Sequence, residues 1–383
     1  MIGSEDKAPS DSACSQFRED FDHEDPALVS VVVPAFNAVA NIRETLNSAL
    51  AQTYKNLEVI VVDDGSSDDT AAIVEEFVKK DPKVQLVRQT NKGVGDAQNT
   101  AIRLARGKYI APLDADDLWF PEKIEKQVAC IERCGPETGL VYCWCKFIDE
   151  RSAPVGPGIT CKFKGRLHHL MILTDIIGNG SVPLFRAAAL EKIGLNLTRA
   201  EEGGGQGCED WDLALRVAEL FDFGVVPEYL VAYRQTSYSV SLNTAGMEKS
   251  YATVMANARQ RNRHLSSSLF RWSAGYFSLF LANKCFDFGY YSRCLRHLKD
   301  AALANPSLLL RTDLYKKVLK CLLRLATGKG PGHSVEPVQT SPEKKEQEAV
   351  VLPKRKRKRG FISNRIFKRI ELSRWSAARH NRA

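Results

Sequence analysis

Several features are missing from this 383-residue chain, and each absence narrows what it can be. No apolar run approaches the roughly 20 residues a transmembrane helix needs, so a spanning protein is not expected. No Gly-x-Gly-x-x-Gly follows the first strand-like segment and no Gly-x-x-x-x-Gly-Lys-Ser/Thr occurs anywhere, which removes most support for a dinucleotide-binding or P-loop protein. The ten cysteines lack paired Cys-x-x-Cys spacing. Cys143 and Cys145 share one face of a strand-like run, and without a second pair or a His cluster they are expected to pack in a core. No N-terminal apolar run resembles a signal peptide, so a reducing, cytoplasmic setting is expected.

Acid is scarce at the C-terminal end only. Residues 354–383 hold twelve Lys or Arg against one acid, Glu371, so of the net charge of +8 the tail carries +11 and the rest −3. The basicity therefore belongs to the tail, and no specific nucleic-acid partner is expected for the body of the chain.

What is present is a regular alternation. Residues 28–33 read as a core strand stopped by Pro34, and residues 41–52 have helical spacing. Strand 57–62, helix 71–80, strand 84–88, a Gly-containing loop and helix over 91–105, and strand 108–113 follow in turn. Nearly continuous apolar strands joined by helices imply a parallel sheet covered on both faces, which binds ligands beyond its C-terminal strand ends. Three polar clusters fall there: Pro34-Ala35-Phe36-Asn37, Asp63-Asp64-Gly65-Ser66 and Asp114-Ala115-Asp116-Asp117.

Three carboxylates within four residues at the end of a buried strand repel one another unless a cation or donors neutralise them. Such oxygens suit a hard divalent ion, Mg2+ or Mn2+, which takes one or two protein carboxylates and completes its shell with water and phosphate. The same acids also read as caps for the helix that Pro121 starts, as Asp68 and Asp69 do for helix 71–80. Glu209-Asp210 opens an amphipathic helix, where the helix dipole alone favours acids, so capping and chemistry both stay open there.

In order and spacing, Pro34-Ala35-Phe36-Asn37, Val62-Asp63-Asp64-Gly65-Ser66-Ser67-Asp68, the run 91–99 and Leu113-Asp114-Ala115-Asp116-Asp117 resemble the successive motifs of family 2 glycosyltransferases. The likeness covers residues 28–242. It implies an α/β fold of GT-A type, Rossmann-like with a mostly parallel central sheet flanked by helices, here followed by a C-terminal helical appendage and basic tail. It also implies transfer of a sugar, with inversion, from a nucleotide-diphosphate donor (a UDP-sugar favoured) to a hydroxyl of a glycan or lipid-linked acceptor. Carried over residue by residue, it puts Pro34, Phe36, Asn37, Asp63, Asp64, Asn91, Gln98 and Asp114 around the nucleotide. Asp116 and Asp114 would hold a divalent metal, Mn2+ or Mg2+. Asp210 would be the catalytic base with Glu209 beside it, and Asn179, Gly180, Trp211 and Arg234 would lie on the acceptor or diphosphate side.

Two positions depart from the family pattern. Gln98 stands in Ala97-Gln98-Asn99 where an Arg is common, so a cation expected near the base or diphosphate is missing. Thr236 stands where many relatives carry His. The segment Gly203-Gly204-Gly205-Gln206-Gly207 is too glycine-rich for a regular element and reads as a surface loop or a lid.

Residues 246–327 are helical in pattern, with a stripe of Trp272, Tyr276, Phe277, Phe280 and Leu281 expected in the core. The expected organisation is a disordered acidic arm (1–27), a GT-A domain (28–245), a helical appendage (246–327), a linker (328–353) and a basic amphipathic tail (354–383). In the tail, Phe361, Ile362, Ile366, Phe367, Ile370 and Trp375 recur between basic residues, which suits an anionic membrane surface. The expected setting is the cytoplasm, peripheral at the inner face of a bacterial membrane, in cell-surface polysaccharide synthesis. Two readings compete. One is a non-catalytic scaffold or nucleotide-sugar-binding protein of the same fold, and the other a sugar-phosphate nucleotidyltransferase, which would need a Gly-rich basic loop where Pro34-Ala35-Phe36-Asn37 stands.

Overall fold

The computed structural model describes residues 26–201, 206–235 and 243–327. Residues 1–25 of the acidic arm, Gly203-Gly204-Gly205, Thr236 with its loop to Ser241, the linker and the basic tail lie outside the described residues. In chain order the elements are β1 (Val29–Ala35), α1 (Ile42–Leu50), β2 (Leu57–Asp63), α2 (Thr70–Lys80), β3 (Val84–Arg88), α3 (Val94–Leu104), β4 (Tyr109–Pro112), β5 (Leu118–Trp119), α4 (Lys123–Cys134) and β6 (Thr138–Ile148). They continue with α5 (His168–Leu173), β7 (Leu184–Arg186), α6 (Ala187–Ile193), α7 (Glu209–Leu220), β8 (Asp222–Arg234), α8 (Thr244–Arg261), α9 (Ser267–Asp287), α10 (Tyr291–Ala304), a 3-10 turn (Pro306–Leu310) and α11 (Thr312–Ala326).

One sheet runs through the fold in the order β3-β2-β1-β4-β7-β6-β8-β5. Its first four strands are parallel, as their alternation with helices requires, and β1 and β2 are buried along their whole lengths. Beyond β4 the short β7 pairs antiparallel on both sides, and the long strands β6 and β8 pair parallel with each other. Pro34, expected to stop β1, instead lies inside it opposite Val62. Its missing N–H faces the β4 side, where pairing with β1 has ended at Val32 and Pro112, so no ladder bond is lost.

Helices cover the sheet and bury one main apolar core, which continues through α8 and the first part of α9 with Met247, Tyr251, Val254, Phe277 and Leu281. Cys143 and Cys145 are buried in it, and Trp272, Tyr276 and Phe280 lie against it. A smaller cluster, including Cys285, Cys294, Leu298, Leu314 and Cys321, holds the end of α9 to α10 and α11. Among the described residues no helix is long and apolar enough to cross a membrane.

Candidate active site

Parallel register brings the ends of β1, β2 and β4 to one edge. Ala35 lies opposite Asp63, and Leu113, just past β4, donates to the Val32 carbonyl at 2.9 Å. Side chains tie the loops there together. The Asn37 amide donates to Ser66 Oγ at 2.9 Å, and the Ser67 amide donates back to Asn37 Oδ1 at 2.9 Å. Asn37 is left-handed, with φ of 48°, a conformation Asn tolerates. Phe36 is exposed at this edge, where an aromatic face is available to a flat ligand. Pro34 sits buried in the strand behind it.

The two acids after β2 have different surroundings. Asp64 is buried and accepts from Gln89 Nε2 (2.8 Å), the Lys92 amide (2.9 Å) and the Gly93 amide (2.8 Å), so its carboxylate fixes the loop before α3. Asp63 accepts only from the Ser66 amide, at 3.2 Å, among the hydrogen bonds resolved here, and keeps acceptor capacity. Of the pair expected around the nucleotide, Asp63 is the one able to receive it. Asp68, not Asp69, caps α2: its Oδ1 accepts from the Thr70 amide at 3.0 Å, whereas Asp69 makes no side-chain cap bond.

The acids after β4 also divide. Asp117, read as a helix cap, caps nothing. It is fully buried and accepts from Asn179 Nδ2 (2.9 Å), Ser181 Oγ (2.6 Å) and the Arg234 amide (2.8 Å), which joins three distant segments. Asn179 is thereby tied beneath the carboxylates. Ser181, which sequence reading passed over, also accepts from the Asp114 amide at 2.9 Å. Gly180 lets Asp114 lie close, since a Cβ there would come within 3.2 Å of Asp114 Oδ2. Asp114 and Asp116 stay partly exposed, and among the described residues no other residue's hydrogen bond to either carboxylate is resolved.

Arg234, expected toward the diphosphate, is 1% exposed and turned inward. Its guanidinium donates to the carbonyls of Asp116 (2.7 Å) and Asp149 (3.1 Å) and pairs with Glu44 at 2.8 Å, because β8 runs directly past the acidic turn. Trp211 is likewise turned into the packing. It donates from Nε1 to the Met171 carbonyl at 2.7 Å and packs among Tyr251 and Phe277.

Glu209 and Asp210 occupy the first turn of α7. Glu209 Oε2 accepts from the Gly207 amide at 2.8 Å, and Asp210 Oδ1 from the Trp211 amide at 2.7 Å. Asp210 lines a cavity with Asp175, Asn179, Gly180, Gln98 and Asn196. Asp175 is a further acid that the sequence did not single out. Burial raises the Asp114 carboxyl well above its ordinary value, and Asp117, Asp116, Asp210 and Glu209 add to the rise. Asp210 is likewise raised, by burial and then by Glu209 and Asp175. Burial also pushes Asp117 up to about 7, with Asp116 adding. Acids from β4's end and from α7 thus crowd one site and disfavour each other's charge.

That crowding fits a cation. Among the described residues no group of three or more His, Cys, Asp or Glu side chains is arranged to hold a metal. Two open carboxylates, Asp114 and Asp116, match instead a hard ion that draws its remaining ligands from diphosphate and water.

Gln98 itself is tied to the loop after α6. Gln98 is buried and accepts from Asn196 Nδ2 at 3.1 Å, and Asn99 exchanges two further bonds with the Asn196 backbone. This clamp holds the loop after α6 on α3 and lays Arg199 over Gly93, with Nη1 donating to Asn91 Oδ1 at 3.1 Å. No local pattern marks Arg199, which reaches this place from 108 residues beyond Asn91.

Residues 30–183, from β1 to the loop beneath Asp114, match the family model described as glycosyl transferase family 2. This segment is a family 2 glycosyltransferase domain. Glu209 and Asp210 lie beyond the matched part. Among relatives, this chain is 34% identical over 198 residues to chondroitin synthase from Escherichia coli, covering 51% of this chain and 27% of the relative. It is 42% identical over 106 residues to the UDP-Glc:alpha-D-GlcNAc-diphosphoundecaprenol beta-1,3-glucosyltransferase WfaP from Escherichia coli, covering 27% of this chain and 41% of the relative. The chain thus spans well under half the length of either curated relative. A mannosyltransferase from Pyrobaculum calidifontis, solved with GDP-Man and Mn2+, superposes with a TM-score of 0.50 at 19% identity, covering 79% of this chain and 86% of that one. At that identity the likeness establishes the shared GT-A fold.

Proposed function

We propose that this protein transfers a sugar from a nucleotide-diphosphate donor, a UDP-sugar favoured, to a hydroxyl of a glycan or lipid-linked acceptor, inverting the anomeric carbon. The observation that carries this reading is the convergence of open carboxylates from two separate elements, Asp114 and Asp116 after β4 and Asp210 on α7. Asp210 is the base. It takes the proton of the acceptor hydroxyl as that oxygen bonds to the anomeric carbon and the carbon–oxygen bond to the diphosphate breaks, the electron pair leaving with the nucleoside diphosphate. Burial, then Glu209 and Asp175, raise its carboxyl, which makes it a stronger proton acceptor than a free aspartate. One base on the acceptor side, with no side chain placed as a nucleophile, supports direct displacement and hence inversion.

Asp114 and Asp116 would hold the divalent ion, Mn2+ or Mg2+, whose chemistry there is to stabilise charge on the departing diphosphate. Asp63 accepts from the base, Phe36 stacks on it, and Arg199 takes the place of the cation absent at Gln98. Glu209 orients the turn that carries Asp210. The division into a catalytic unit (28–245) and a helical appendage (246–327), and a setting at the inner face of a bacterial membrane, belong to the same reading. The similarity to WfaP and to chondroitin synthase supports polysaccharide or lipid-linked glycan synthesis.

The test is nucleoside-diphosphate release from a panel of UDP- and GDP-sugars with Mn2+, run beside thermal shifts with the free diphosphates. Asp210→Asn is expected to cut release about 10²–10⁴-fold while leaving the nucleotide shift unchanged. Release at the normal rate from that variant would remove Asp210 as base. Nucleotide binding without release by the unaltered chain would favour the scaffold reading instead.

A further inference from the structure

Helix α11 ends the described part of the chain, and it is held to the fold by one narrow face, through Leu314 and Cys321. The rest of its apolar surface points outward. Tyr315 (54% exposed), Leu319 (59%), Leu322 (51%) and Leu323 (55%) recur at spacings of three and four, so they form one stripe along the helix. The preceding 3-10 turn extends it with Leu309 and Leu310, and the Tyr315 hydroxyl donates to the Leu309 carbonyl at 2.7 Å, which joins the two pieces. A stripe of this size on water is unusual and marks a contact surface.

Charge identifies the occupant. Lys316, Lys320 and Arg324 follow one another at intervals of four beside the stripe, and among the described residues none of them forms an ion pair. The helix's acid, Asp313, is already paired with Arg311 at 2.6 Å. The part of this chain best suited to cover an apolar stripe, residues 361–375, is itself basic and would be repelled. An apolar stripe edged by cations that pair with no acid among the described residues, on a helix too short and polar to span, fits the surface of a bilayer containing anionic lipid.

We propose that α11 is a membrane-docking helix, lying in the lipid interface on Tyr315, Leu319, Leu322 and Leu323 with Lys316, Lys320 and Arg324 at the headgroups. This deepens the membrane-surface setting given above and assigns it to a face of the folded body, independent of the tail.

Co-sedimentation of the full chain with vesicles of phosphatidylcholine alone or with one-third phosphatidylglycerol tests it. Binding to the anionic vesicles is expected. Leu319→Gln with Leu323→Gln should lower it at least tenfold, and Lys316→Glu with Lys320→Glu should lower it several-fold in a salt-dependent way. Both pairs are exposed, so circular dichroism and thermal melting should match the unaltered chain. Replacing the six basic residues 354–359 by Gln should leave much of the binding in place. If the α11 variants bind normally and only the tail variant fails, the α11 assignment is overturned while the membrane setting stands. If the unaltered chain ignores anionic vesicles, both fall, although nucleoside-diphosphate release would still report on the transferase reading. If the leucine variant instead turns a dimer into a monomer without affecting vesicle binding, the stripe is a self-association surface and the proposal is overturned.

Discussion

At the N-terminal edge of the central sheet, Glu58 of β2 is buried and accepts from Ser30 Oγ at 2.7 Å, the Arg106 amide at 2.8 Å and the Arg106 guanidinium at 2.8 Å. Burial alone would raise its carboxyl, but the bonds from Arg106 and Ser30 outweigh that and hold it below the ordinary glutamate value. At the opposite edge, burial raises both Asp114 and Asp210, with Asp117 and Asp116 adding most to the first and Glu209 and Asp175 to the second, and among the described residues neither forms an ion pair. The same sheet therefore neutralises an acid at one end and leaves acids uncompensated at the other. Uncompensated charge is tolerated where a ligand supplies the missing partner, and it costs stability until that ligand arrives.

The largest test of this contrast is Asp116→Asn. It is expected to abolish the Mn2+-dependent thermal shift by nucleoside diphosphate and to lower its release at least 10²-fold. The same change should raise the stability of the unliganded protein by about 1 kcal/mol, because one repelling charge is gone. A variant that loses stability while still binding nucleotide would break the contrast.

Glu58→Gln should behave in the opposite way. Loss of a buried charged acceptor should cost about 2–3 kcal/mol in denaturant unfolding, with nucleoside-diphosphate release at 25 °C retained. Because the folded Glu58 value is lowered, its contribution is present above the ordinary glutamate range and is lost as pH falls through the folded value. Melting of the unaltered chain on acidification should therefore be steeper than that of Glu58→Gln.

Lys123 supplies an intermediate case within the core. It is fully buried, its Nζ has no hydrogen-bond partner among the described residues, and it lies 4.0 Å from the Trp119 ring centroid. Burial pushes its ammonium down from 10.5 to about 8. The unfolded chain thus binds the extra proton between these values, and stability should rise as pH rises from about 8 toward 10.5. Lys123→Met should remove that rise and gain about 1 kcal/mol near neutrality, after loss of the cation–π contact. An unchanged pH profile would show that water reaches the ammonium.

Strands β1 to β4 and their helices were legible because apolar runs, turn residues and caps act over a few positions. The placing of Asp63, Asp114 and Asp116 at one edge was legible too, since parallel connections force C-terminal strand ends together. Pro34 misled as a strand stop, because whether a missing donor matters depends on the neighbouring strand's length. That Trp211 and Arg234 turn inward was not legible, because the packing that turns them comes from α5, α8, α9 and the acidic turn, all distant in sequence.

By itself, then, the sequence determined the order of elements, the edge at which the site lies and the acidic character of that site. Only the tertiary structure decided which acids remain open. Donors to Asp117 come from 62, 64 and 117 residues away, and those to Asp64 from 25 to 29. Arg199 reaches Gly93 only because Asn196 is clamped to α3. The physical reason is that a carboxylate's task is set by the donors that reach it, and no local pattern encodes a donor brought from another part of the chain.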